Sequence, residues 1–90
     1  MKSFEDLTFH RHPGYTHPMF KSVVAEQATM DFDNGYGVSV LLGDHDVVGF
    51  YSNGVDTYEV GVLLNGKVTE VSPYLSKEKV TDLMHKIQEL

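Results

Sequence analysis

"ATMDFDNGYGVSVLL", residues 28–42, is the stretch whose register decides the fold. Ala28, Met30 and Phe32 recur at period two, with Thr29 and Asp31 between them. Tyr36, Val38, Val40 and Leu42 recur the same way after the turn. Both runs read as half-buried strands. A two-residue loop at Asn34-Gly35 would set Asp31 against Val38, so that apolar positions meet polar ones. A three-residue loop, Asp33-Asn34-Gly35, sets Phe32 opposite Tyr36, Met30 opposite Val38 and Ala28 opposite Val40. Only the second lets both apolar stripes share a face, and a one-residue slip would flip a whole strand. Gly35 also stands where such a loop needs a left-handed residue. An antiparallel hairpin with one apolar face is therefore expected.

Working outward, "YEVGVLLNGKVTEV" (58–71) fits a second hairpin with a two-residue turn at Asn65-Gly66. Tyr58, Val60, Val62 and Leu64 then share a face with Thr69 and Val71. Leu63 and Val68 fall together on the opposite face. They are either covered by the N-terminal segment or form a contact surface. Between the hairpins, "VVGFY" (47–51) reads as a fifth strand or an ordered loop, flanked by the turn signals Gly43-Asp44 and Ser52-Asn53-Gly54. "LTFHRH" (7–12) alternates like a short edge strand before Pro13, Gly14 and Pro18 break regular structure.

The C-terminal helix carries several independent signals. Ser76 is a good N-cap, and Leu75 with Val80 forms a hydrophobic staple. Val80, Leu83, Met84, Ile87 and Leu90 make an apolar stripe at helical spacing. Glu78 and Lys86 suit the two ends of the helix dipole. The expected architecture is α+β: an antiparallel sheet of four to five strands, linked by meander hairpins, packed against one C-terminal helix. It forms a single domain over 1–90. Residues 1–21 form an irregular N-terminal segment, 22–72 the sheet and 76–90 the helix.

Ninety residues bury only about 60–65% of their extended-chain surface. That suits a binding module or a subunit better than an enzyme with its own deep cleft. The chain has no cysteine, which excludes disulfides, thiolate chemistry and Cys-type zinc sites. "MKSFEDLTF" lacks the apolar core of a signal peptide, and no apolar run approaches a membrane span. The net charge is −6, and its distribution says more than its size. Between Lys21 and Lys67 there is no Lys or Arg, while Glu26, Asp31, Asp33, Asp44, Asp46, Asp56 and Glu59 all fall in that gap. This one-signed middle would repel nucleic acid and attract a basic partner.

Specific chemistry is harder to find. "DFDNG" (31–35) resembles the start of a calcium loop, but Gly35 falls at position 5 rather than 6 and Leu42 stands where the closing carboxylate belongs. His10, His12 and His17 lie close in sequence, and an H-x-H pair on a strand can hold zinc. No recognised zinc spacing completes it, so no metal and no cofactor are expected. Nucleophile elbows, Walker loops and dinucleotide fingerprints are missing from the chain. The acid pairs Asp31/Asp33 and Asp44/Asp46 lie near turns, where water solvates them. A non-enzymatic role is expected. Tyr36, Tyr51 and Tyr58 interleave with the acids, and tyrosine is enriched at interface hot spots.

Three segments together, "FDNGYGVSV" (32–40), "YEVGVL" (58–63) and "YLSKEKVTDLMHKIQEL" (74–90), resemble a group of small proteins encoded by tailed bacteriophages. The resemblance covers residues 32–90. Gly61 stands where that group tends to have Ala, and residues 43–56 are individual to this chain. The resemblance carries over no catalytic residue. It implies a phage protein acting in a host bacterial cytoplasm, where small acidic phage proteins often block CRISPR effectors, restriction enzymes or nucleases. The expected function is binding to a basic host protein through Asp31, Asp33, Tyr36, Asp44, Asp46, Asp56 and Tyr58. Direct contact with nucleic acid or membrane is not expected. Two alternatives stand beside it: a structural or homodimeric phage protein joined through Leu63 and Val68, and a metal-dependent enzyme centred on the histidines.

Overall fold

The computed structural model describes residues 1–12 and 25–90. Five strands form one antiparallel sheet in meander order: β1 (His10–Arg11), β2 (Glu26–Asp31), β3 (Tyr36–Leu42), β4 (Tyr58–Leu64) and β5 (Lys67–Leu75). A one-turn helix, α1 (His45–Val48), lies between β3 and β4. The helix α2 (Lys77–Gln88) packs its buried Val80, Met84 and Ile87 on one face of the sheet. Fold class and architecture are as the hydrophobic pattern requires.

The first hairpin has the expected register. Ala28 pairs with Val40 and Met30 with Val38. The Phe32 amide donates to the Tyr36 carbonyl at 2.7 Å, closing a three-residue loop with Gly35 at φ 86°. The core follows from this pairing. Val38, Val40, Val60 and Val62 of β3 and β4 present one face to α2, and Phe4, Leu7 and Phe9 close the side of the cluster. Each fully buried valine of this kind contributes about 1.5–3 kcal/mol.

The second hairpin has the expected turn, with Leu64 opposite Lys67 and with Asn65 and Gly66 both at positive φ. Its register then departs from expectation. Val62 faces Glu70 while Leu63 faces Val68, so Thr69 is an extra residue in β5. This bulge moves Val71 off the helix face and opposite Gly61, on the outer face of the sheet. Val68 is 59% exposed and Val71 48%. The described N-terminal residues do not cover them, because residues 2–6 lie against α2 and residues 10–11 pair with β2 at the far edge of the sheet. The Phe4 amide donates to Thr81 Oγ1 at 3.1 Å, and Gln88 exchanges two hydrogen bonds with the Lys2 backbone.

The fifth strand is β1, from the alternating "LTFHRH", and not the 47–51 stretch. There the chain forms α1 instead. Asp44 caps it, accepting from the Asp46 amide at 2.9 Å, and Gly49 closes it in the left-handed region. Leu90, placed in the helical stripe by its spacing, lies beyond the end of α2 and is 70% exposed.

Candidate binding surface at the 43–57 loop

The sheet separates the acidic residues into two groups. Asp31 and Asp33 lie at the β2–β3 turn, beside the β4–β5 turn, where the Asn65 amide donates to the Gly35 carbonyl at 2.9 Å. Glu26, opposite Leu42, lies at the other end of β3 and β4 with Asp44, Asp46, Asp56 and Glu59. The seven residues of β3 hold the groups roughly 20 Å apart. They form two separate clusters rather than one.

The two tyrosines of the expected surface sit on the core side. Tyr36 is half-buried against the core, and Tyr58 is 5% exposed. The Tyr58 ring packs on Phe4 at 5.0 Å and Phe9 at 5.7 Å between centroids. Burial, with Asp56 and Glu26 nearby, raises its pKa above the ordinary 10.0. Tyr58 is thus a core residue. The sequence suggested otherwise because its neighbours Asp56 and Glu59 are polar, while the period-two pattern of β4 already placed it inward.

The residues of 43–57 hold one another in place. The buried hydroxyl of Ser52 accepts from the amides of Gly43 and Gly54 and donates to the Thr57 carbonyl at 2.6 Å. Asn53 Oδ1 accepts from the amides of Val55, Asp56 and Thr57, while its Nδ2 donates to Asp56 Oδ1. The backbone that a loop would otherwise leave to water is satisfied internally. Gly54, at φ 76°, passes so close to Asp44 that a Cβ there would lie 2.9 Å from its amide nitrogen. Such a loop presents its outward side chains with little ordering left to lose on binding.

Those side chains include an aromatic row that sequence reasoning did not assemble. His45 stacks on Tyr51 at 5.2 Å and 18°, and Tyr51 meets the edge of Tyr74 at 6.4 Å. Tyr51 and Tyr74 are each 49% exposed. The Tyr74 amide donates to the Tyr51 carbonyl, and the Tyr51 amide donates to Glu59 Oε1 at 3.0 Å. Tyr74 takes the left-handed conformation, φ 53°, which tyrosine rarely adopts. Its place beside Tyr51 depends on contact across 23 residues, so no local signal marks it. Asp46 stands out at the rim, with its carboxylate 3.7 Å from His45 Nδ1.

The hairpin end is different. Asp31 and Asp33 line a shallow groove together with Lys2 and Gln88, so a lysine shares their groove. Among the described residues no three His, Asp or Glu side chains come together as a metal site. His10 lies in β1, the His12 ring meets Phe50 at 5.5 Å, and His17 lies outside the described residues. No helix among the described residues is long and apolar enough to cross a membrane.

No family model, curated protein or solved structure matches this chain.

Proposed function

We propose that the protein is a non-enzymatic, phage-encoded binding protein that docks its 43–57 end on a basic site of a host nucleic-acid-handling factor, of the kind that anti-CRISPR or other anti-defence proteins occupy. The observation that carries this reading is the self-bonded loop that holds Asp44, Asp46 and Asp56 together with the exposed Tyr51, whose ring meets that of Tyr74. Rigid aromatic side chains supply contact area at low entropic cost, and carboxylates beside them select for Arg and Lys. A groove built to hold a phosphate backbone offers that chemistry. The phage origin and host cytoplasmic location rest on the resemblance of the hairpin and helix segments to tailed-phage proteins.

The two acidic groups lead to a sharp test. Affinity capture from bacterial lysate with the wild-type chain is compared with two charge variants. The triple variant Asp44→Asn, Asp46→Lys, Asp56→Asn, which keeps the acceptors for the Asp46 amide and for Asn53, should lose the captured partner, and capture by the wild type should weaken as salt rises. The pair Asp31→Lys, Asp33→Lys should retain it. Capture lost only in the hairpin pair would place the site at the other end of the sheet, and capture unchanged in both would refute an electrostatic interface.

A further inference from the structure

The meander order leaves β5 at an edge of the sheet, with only β4 beside it among the described residues. Which of its backbone groups face outward follows from the register. A two-residue turn closes on a hydrogen-bonded pair, here Leu64 with Lys67. The next residue, Val68, then turns its N–H and C=O away from β4. Thr69 and Glu70 share one position in the bulge, and Val71, opposite Gly61, faces outward again. The far side of β4 agrees with this alternation: the Phe32–Tyr36 bond turns the peptide groups of Tyr36 and Val38 toward β2, so those of Gly37 and Ser39 face β4, opposite Leu63 and Gly61. The edge therefore presents the peptide groups of Val68 and Val71. Both valine side chains stand on the outer face, exposed, with Leu63 beside Val68.

The geometry points to antiparallel pairing of Lys67–Ser72 with the same segment of a second copy of this chain, Val68 of each copy opposite Val71 of the other. In that register the outward peptide groups of the two edges meet, and each bulge lies across from the other. Four valines and two Leu63 side chains gather on the outer face. On the helix face Lys67 lies diagonal to Glu70 of the second copy, and the two-fold repeats the pair. Diagonal neighbours on one face are within reach of long side chains. The segment also has natural limits. Pro73 has no N–H to offer at one end, and the tight Asn65-Gly66 turn ends the strand at the other.

The charges at the edge itself are self-complementary, which suits a second copy as the occupant. The chain carries a net charge of −6, so copies repel one another through their acidic ends. The β5 edge is the locally neutral part, with one cation and one acid placed so that a two-fold brings opposite signs together. Two edges of six residues make a small interface, below about 1,200 Å² in total, so association in the range of roughly 10–100 µM is expected.

Sedimentation equilibrium of the full chain tests this from about 5 µM to 1 mM, a span that brackets such an affinity. A monomer–dimer equilibrium is expected. Lys67→Glu or Glu70→Lys alone should weaken it about tenfold, because each sets like charges across both diagonals. The double variant, or a mixture of the two single variants, should recover it. Val71→Asp should abolish it. Hydrogen exchange gives a measurement independent of any substitution: protection at the Val68 and Val71 amides should rise with concentration. A monomer at every concentration overturns the proposal. So does a dimer indifferent to Val71→Asp, a double variant no better than the singles, or a strand of another protein captured at this edge while the chain itself stays monomeric.

Discussion

The Asn34 side chain in the β2–β3 turn donates from Nδ2 to the Ile87 carbonyl at 2.9 Å and to the Leu90 carbonyl at 3.3 Å. Its Oδ1 accepts from the Tyr36 amide at 3.1 Å. One amide thus shapes the turn and ties it to the end of α2, adding a second donor to the Ile87 carbonyl, which also accepts from the Leu90 amide. Asn34→Ala should destabilise the protein by about 1–2 kcal/mol in urea unfolding. Asn34→Asp should cost more than Asn34→Ala, because a carboxylate would face carbonyl oxygens at the negative end of the helix dipole. Equal stability of Asn34→Ala and wild type would show that the tie carries no weight.

Ser52 anchors the 43–57 loop through one buried hydroxyl. Ser52→Ala removes its donor to the Thr57 carbonyl and its acceptor for the Gly43 and Gly54 amides. A loss of about 1–3 kcal/mol is expected, with hydrogen exchange accelerating first in residues 43–57. If the loop serves as the docking surface, partner capture should fall with it.

Tyr58 links stability to alkaline pH. Its pKa is raised in the folded chain by burial, with Asp56 and Glu26 adding to the effect. The unfolded chain therefore loses the phenolic proton first as pH rises. Stability from this group is complete below the ordinary pKa of 10.0 and is lost as pH climbs through the folded value. The urea midpoint should fall above pH 10.0 in the wild type, and this limb should flatten in Tyr58→Phe.

Met84 is the largest fully buried side chain of α2, placed among the valines of β3 and β4. Met84→Ala should cost about 2–5 kcal/mol. Leu90→Ala at the exposed C-terminus should fall within about 0.5 kcal/mol of wild type, as is usual for surface sites. Thermal unfolding of the two variants side by side separates core from surface along the same apparent stripe.

Much of the fold was legible because its signals are local. The register of Met30 with Val38 follows from a count of turn residues and a shared apolar face. Ser76 and the spacing of Val80, Met84 and Ile87 define α2 without reference to anything else. The bulge at Thr69 was not legible. "KVTEV" alternates cleanly, and nothing within it says that Val71 will sit beside Gly61 rather than Val60. The short α1 was also hidden, since "VVGFY" has strand composition and only the Asp44 cap and Gly49 turn it into a helical turn. The candidate surface divided in the same way. Asp44, Asp46 and Asp56 were visible as charges without nearby cations. Their separation from Asp31 and Asp33, the burial of Tyr58 and the meeting of Tyr51 with Tyr74 were not.

By itself the sequence determined the elements, the first hairpin's register, the helix's buried stripe and the sign of the charge in the middle of the chain. These depend on turn length, periodicity and composition, which act between near neighbours. The tertiary structure alone decided which charges stand together, which tyrosines reach solvent and which strands end the sheet. Those outcomes depend on distances across the sheet and on a single extra residue in β5, and neither leaves a trace in the local pattern.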